Sequence, residues 1–157
     1  MKTRTRIVED TRHAFVEPLE ARIAPASLAM FTDSDGDTYT VKVSGAGSAA
    51  VTIVDPDLDT HGSIDTIALT GTDSSSVLTV KVTAVGDGEV DIGAITGGTL
   101  GAIKAGHSKL AGAGAAFTGS VGAVTFVGID GAAFVTGSKI GAFTIGSDVS
   151  DAVITAG

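Results

Sequence analysis

The sequence predicts an all-β protein. Its main part is a parallel β-solenoid (β-helix) with rungs of about 20 residues, preceded by a partly antiparallel β cap and a flexible or short-helical N-terminal tail. Three observations carry this reading. An apolar-Gly-Ala-apolar phrase recurs as Ile92-Gly93-Ala94-Ile95, Leu100-Gly101-Ala102-Ile103, Val121-Gly122-Ala123-Val124 and Ile140-Gly141-Ala142-Phe143, with the last three copies starting 21 and 19 residues apart. Within each copy the side chains alternate: Ile103 and Ala105 flank Lys104, Val124 and Phe126 flank Thr125, Phe143 and Ile145 flank Thr144. That is the period of a strand with one face to water. Finally, 17 of the 22 glycines lie from Gly86 onward, and Gly106, Gly119, Gly128, Gly137 and Gly146 each close a strand, as corners with positive φ or close backbone approach require.

Three regions follow in order: a tail at 1–27, a β cap at 28–85 and solenoid repeats at 86–157. The tail begins with basic residues, but Glu9, Asp10, Glu17 and Glu20 interrupt its apolar positions, so it is not an ordinary secretory signal peptide. Phe15, Leu19 and Ile23 are four apart and form one helical stripe, with Pro18 tolerated only in the first turn. Next come runs at Leu28–Thr32, Thr38–Ser44, Ala49–Val54, Ile64–Thr70 and Val77–Thr83, each read as a short strand. Tyr39, Val41 and Val43 alternate with Thr40 and Lys42, and Asp33-Ser34-Asp35-Gly36-Asp37 has the turn chemistry of a hairpin connection. A module of this kind suits the first rung of a solenoid, whose strand edge would otherwise be open.

In the solenoid, parallel stacking is expected to place Ile103, Val124 and Phe143 above one another. A second strand per repeat is expected where Ala115-Ala116-Phe117-Thr118-Gly119 lines up with Ala133-Phe134-Val135-Thr136-Gly137 and with Ala152-Val153-Ile154-Thr155-Ala156-Gly157. The last phrase stops at its corner, so the repeats are expected to be truncated there, with Val153 and Ile154 on an open edge.

Composition narrows the function. Hydrophobic residues make up 43% of the chain, which excludes a wholly disordered protein. Six Phe, one Tyr and no Trp leave the core to Val, Ile, Leu and Ala. Residues 23–157 carry five Lys/Arg against fourteen Asp/Glu, which argues against nucleic acid and anionic membrane surfaces, and no stretch approaches membrane-spanning length. Cysteine is absent, which removes disulfides and thiolate metal sites.

Asp33, Asp35 and Asp37 are spaced two apart, and Asp55, Asp57 and Asp59 repeat the spacing. Alternate carboxylates in a tight loop can converge on Ca²⁺, the one cofactor this pattern admits. Neither loop is an EF-hand: position six is Thr38 or Thr60 instead of Gly, and position twelve is Ser44 or Thr66 instead of Glu. The plain alternative is a solvated turn. His13, His61 and His107 are isolated from one another in sequence, and no Ser sits in a nucleophile-elbow phrase. A β-helical polysaccharide-active enzyme would need a base or paired carboxylates on one face, whereas Lys104, His107, Lys109, Asp130, Lys139, Asp148 and Asp151 are scattered.

The run Phe15-Val16-Glu17-Pro18-Leu19-Glu20-Ala21-Arg22-Ile23-Ala24-Pro25-Ala26 resembles the LEPR-XLL type of motif that heads very large bacterial surface and secreted β-repeat proteins. Ala21 stands where that family has Pro and Ala24-Pro25 replace its double Leu, so this copy is closer to the LEERIAPA-like variant. The resemblance implies export and an extracellular or cell-surface location. Together these readings lead to the expectation of a non-enzymatic structural or adhesive surface protein, with surface polysaccharide or neighbouring copies of itself as partners. A Ca²⁺-dependent carbohydrate-binding module is the alternative.

Overall fold

The computed structural model describes residues 28–54 and 62–157. The tail, Asp55, Asp57, Asp59, His13 and His61 lie outside the described residues. Those described form twelve strands and no helix: β1 (Leu28–Thr32), β2 (Thr38–Ser44), β3 (Ser48–Val54), β4 (Ser63–Thr70), β5 (Val77–Thr83), β6 (Val90–Gly97), β7 (Leu100–Phe117), β8 (Val121–Asp130), β9 (Ala133–Thr136), β10 (Ile140–Ile145), β11 (Val149–Ser150) and β12 (Val153–Ala156). The five strands expected before residue 85 are present, two of them one residue longer at the start. Stacked parallel strands make a β-solenoid of about three turns.

The alternation read from the repeats sets which side chains stack. Leu78 pairs with Ile103, Ile103 with Val124, and Val124 with Phe143, all parallel and in register. Next to that column, Ala105 and Ile145 both pair with Phe126. Lys104, Thr125 and Thr144, between these inward positions, form an outer ladder. Leu78, Ile103, Val124 and Phe126 are buried, whereas Phe143 and Ile145, in the last described rung, are half-buried. A rings-only cluster links the rungs: Phe134 lies 5.8 Å from Phe117, 6.4 Å from Phe126 and 5.0 Å from Phe143, the last edge-to-face at 83°.

Each rung has three paired segments, one more than expected. The third is short: Val90–Ile92 pairs with Ser108–Leu110, Lys109–Leu110 with Gly128–Ile129, and Ile129–Asp130 with β11. The register of the last segment also differs by one residue from the sequence alignment. Phe117 pairs with Thr136 instead of Val135, and Phe134 pairs with Ala115 and Ile154. The cause is a shift between Ala105 and Lys109, where the pairing to β8 moves from an offset of 21 to one of 19 as a corner takes up two residues. The shift keeps Phe134 in the core but brings the Thr136 hydroxyl in with it, buried and without a hydrogen-bond partner.

Of the five glycines expected to close strands, Gly106 and Gly128 instead lie inside β7 and β8, and none has positive φ. Only at Gly119, Gly128 and Gly137 would an added Cβ meet a neighbour closer than ordinary contact, whereas close approach is the rule in the Gly-Ala phrase. A Cβ on Gly122 would collide with the Gly101 carbonyl oxygen, and one on Gly141 with that of Gly122, so the Gly-Ala phrase stacks Gly on Gly where neighbouring backbones touch.

At the N-terminal end β1 pairs antiparallel with β2, β2 with β5, and β3 with β4. Parallel stacking nevertheless begins inside this region, since β4 pairs parallel with β6 and β5 with β7. Cap and solenoid therefore share one hydrogen-bonded sheet. No helix among the described residues is long and apolar enough to cross a membrane.

Candidate metal centre

Asp33 to Asp37 connect β1 and β2, as their turn chemistry predicts. Gly36 takes φ +98°, and the loop closes through Asp33 N–H donating to the Asp37 carbonyl at 2.9 Å. Asp33 Oδ1 accepts from the N–H groups of Asp37 at 2.9 Å and Asp35 at 3.3 Å. The loop thereby gathers its own carboxylates. One oxygen from each of Asp33, Asp35 and Asp37 lies within 4.8 Å of the others.

What the sequence spacing does not show is the partner loop between β5 and β6. Asp37 Oδ1 accepts from the N–H groups of Val85 and, at 2.5 Å, Gly86, while its Oδ2 accepts from Gly88 at 2.5 Å. Asp35 Oδ2 accepts from Asp87 N–H at 2.8 Å. Two loops some fifty residues apart are clasped by carboxylate-to-backbone hydrogen bonds. Gly86-Asp87-Gly88 is legible as a turn, but nothing local says which loop it meets.

These contacts set the charge states. Donation from Val85, followed by Gly86 and Gly88, holds the Asp37 carboxyl below its usual range even though the residue is wholly buried. Asp35 is lowered first by the hydrogen bond from the Asp33 side chain and then by Asp87 N–H. Burial, followed by the Asp35 side chain, pushes Asp33 up to about 6. Asp33 therefore keeps its proton up towards pH 6, and where bound that proton relieves the repulsion from Asp35 that a cation would also relieve. Nearby, the Tyr39 hydroxyl donates to the Gly62 carbonyl at 2.7 Å, and burial with the Asp33 charge pushes that phenol up to about 12.

Beside the clasp, Asp33, Asp35, Asp87, Glu89 and Asp91 border a polar hollow of about 220 Å³, with Lys109 at its edge. The donor set is all oxygen and fits a hard cation of the Ca²⁺ type. Both oxygens of Asp37 already accept backbone N–H groups, as do both of Asp35, whose Oδ1 takes the Asp37 N–H at 3.4 Å, so a cation would compete with backbone donors at both residues.

The remaining sequence candidates do not converge. Lys104, His107, Lys139 and Asp151 are exposed, and Asp130 accepts from Ser150 Oγ at 2.5 Å. Lys109 borders a small hollow of about 110 Å³ with Glu89 and Asp148. Ser108 is fully buried with no hydrogen-bond partner for its hydroxyl, so it has neither a base nor access to substrate. Comparison with family models, curated proteins and solved structures returns no match for this chain.

Proposed function

We propose that the chain is a non-enzymatic structural or adhesive repeat element, extracellular or on the cell surface, whose work is mechanical. The observation that supports this best is the continuity of the stack. Every strand among the described residues belongs to one hydrogen-bonded sheet, and the Leu78–Ile103–Val124–Phe143 column runs through it in register. Rows of parallel backbone hydrogen bonds resist shear together, so such a stack makes a stiff spacer and its outer Lys104–Thr125–Thr144 ladder a polar contact surface. Export rests on the LEPR-XLL resemblance of residues 15–26. Surface polysaccharide or neighbouring copies of the chain are the partners in this reading.

Two measurements test it. Pulled between residues 28 and 157 in an optical trap, the chain should unfold in rung-sized steps at high force; smooth unfolding at a few piconewtons would remove the mechanical role. Surface labelling of intact producing cells should reach the chain, and steady turnover of any polysaccharide by the purified protein would replace this reading with an enzymatic one.

A Ca²⁺-dependent carbohydrate-binding module is the second reading, favoured by the convergence of Asp33, Asp35 and Asp37. Among the described residues no aromatic ring is exposed to stack on a sugar, so carbohydrate would have to be held by hydrogen bonds. Calcium would fasten the clasp by sitting between Asp33 and Asp35 once the Asp33 proton has left, as it does when pH rises through about 6. Millimolar Ca²⁺ should then raise the melting temperature at pH 7.5, and calorimetry without such a shift leaves the loop a plain turn.

A further inference from the structure

The solenoid sorts its charge by face. One face is built from β1, β2, β5, the opening segments 100–105 of β7 and 121–126 of β8, and β10, each paired with the next. Those six segments contain Lys42, Lys81 and Lys104 and no Asp or Glu. The three lysines are exposed and point outward, because Val41, Val43, Val80, Ile103 and Ala105 beside them fill the core. They are three of the five Lys/Arg in residues 23–157, so most of the positive charge outside the tail stands on this face. Carboxylates collect elsewhere, along the short third segment of each rung, where Asp87, Glu89, Asp91, Asp130 and Asp148 lie in or beside the strands.

We propose that the basic face binds an acidic polysaccharide, one that carries carboxylate or sulfate groups along an extended chain. The inference rests on the polysaccharide partner proposed above and gives that partner a charge and a place. Lys42 pairs with Thr79, and Thr79 with Lys104, so two ammonium groups are rooted two strands apart, about 9.5 Å. Lys81 stands beside them on β5, opposite Thr40. Thr125 and Thr144 continue the Lys104 column, and their hydroxyls, like that of Thr79, can donate to sugar and carboxylate oxygens. No carboxylate on the face competes for the lysines, so an incoming anion meets charge that is not already neutralised. The acidic segment lies on another face, and at physiological salt charges separated by more than about 8 Å are largely screened. The net charge of -8 therefore does not cancel the patch locally. A nucleic acid fits less well: no arginine follows Arg22 to grip it in two places, and among the described residues no ring is exposed for a base to stack on. The acidic segment of a second copy also fits less well, because Lys109 stands within it and two copies of like net charge repel.

Isothermal titration of the full chain with dextran sulfate, polygalacturonate and uncharged dextran tests this, with a chelator present to keep metal out of the acidic clasp. At least one of the two anionic polymers should bind at low salt and be released at about 1 M salt, where the screening length falls to about 3 Å. Which of them binds tells sulfate from carboxylate recognition, and uncharged dextran should give no heat. The triple variant Lys42→Gln/Lys81→Gln/Lys104→Gln should bind several-fold more weakly, with circular dichroism and the exchange protection of β7 and β8 unchanged. Lys109→Gln, off the face, should bind as the parent does. Failure of both anionic polymers to bind, equal binding of uncharged dextran, or binding that survives the triple substitution overturns the proposal. Tighter binding of duplex DNA overturns it as well, as does self-association in sedimentation that the triple substitution abolishes, since either would assign the face to that partner. None of these outcomes bears on the spacer role, which is decided by the force measurement, so the two readings fail separately.

Discussion

The inner rungs and the last described rung present the same residue types in the same phase, yet only the inner ones bury them. Ile103 and Val124 are 1% exposed, while Phe143, next in the same column, is half-buried. Phe134 is fully buried, while Ile154, paired directly with it, is 48% exposed. The strand pattern decides which side chains point inward; a neighbour on both sides decides whether inward means dry. Stability in a solenoid is a sum of rung interfaces, so a substitution should register according to how many interfaces its rung has.

The largest effect is expected at Phe134, whose ring touches three other rings from three rungs. Phe134→Ala should cost about 3–5 kcal/mol and melt the whole stack cooperatively in a thermal scan. If hydrogen exchange instead showed only β9 and β12 opening, the rungs would be independent and the comparison would fail. Gly122→Ala comes next, since the added methyl meets the Gly101 carbonyl in a contact that only backbone movement can relieve. A loss of about 1–3 kcal/mol is expected. An unchanged melting temperature would show that the Gly-on-Gly stack is looser than it looks.

Phe143→Ala should cost less, about 1 kcal/mol, because only part of its surface is removed from water. Phe143→Asp should fray β10, β11 and β12 while leaving exchange in β7 and β8 intact. The partner substitution Thr144→Asp, on the outer ladder, should stay within about 0.5 kcal/mol. Equal melting temperatures for the two Asp variants would refute the assigned strand phase.

The smallest effect is expected at the opposite end, in the acidic clasp, and is one of pH. Asp33 binds its proton more tightly folded than unfolded. Its contribution is therefore complete below the ordinary carboxylate pKa near 4 and is lost as pH rises through about 6. Asp35 and Asp37, both lowered, do the reverse: their contribution is present above that ordinary value and is lost as pH falls below it. Asp33→Asn should flatten the stability profile between pH 4 and 6.5 and leave the acid limb in place. Any calcium-induced rise in melting temperature should be seen at pH 7.5 and be absent at pH 5, where the proton holds the site. A calcium response equal at both values would place the ion elsewhere.

How much of this was legible without coordinates depends on the distance over which each feature is decided. The strands, the inward phase of Ile103, Val124 and Phe143, and the hairpin at Asp33–Asp37 are settled by neighbouring residues, because alternation and turn chemistry are local. The sequence by itself therefore determined a stacked β protein and its core columns. Tertiary structure alone decided that Asp37 is gripped by Val85, Gly86 and Gly88, that a third short segment completes each rung, and that Phe117 faces Thr136 instead of Val135. Each of these depends on how many residues a corner absorbs. Corner length sets the stagger between rungs, and a stagger that differs by one residue exchanges inside for outside with no trace in the repeat itself.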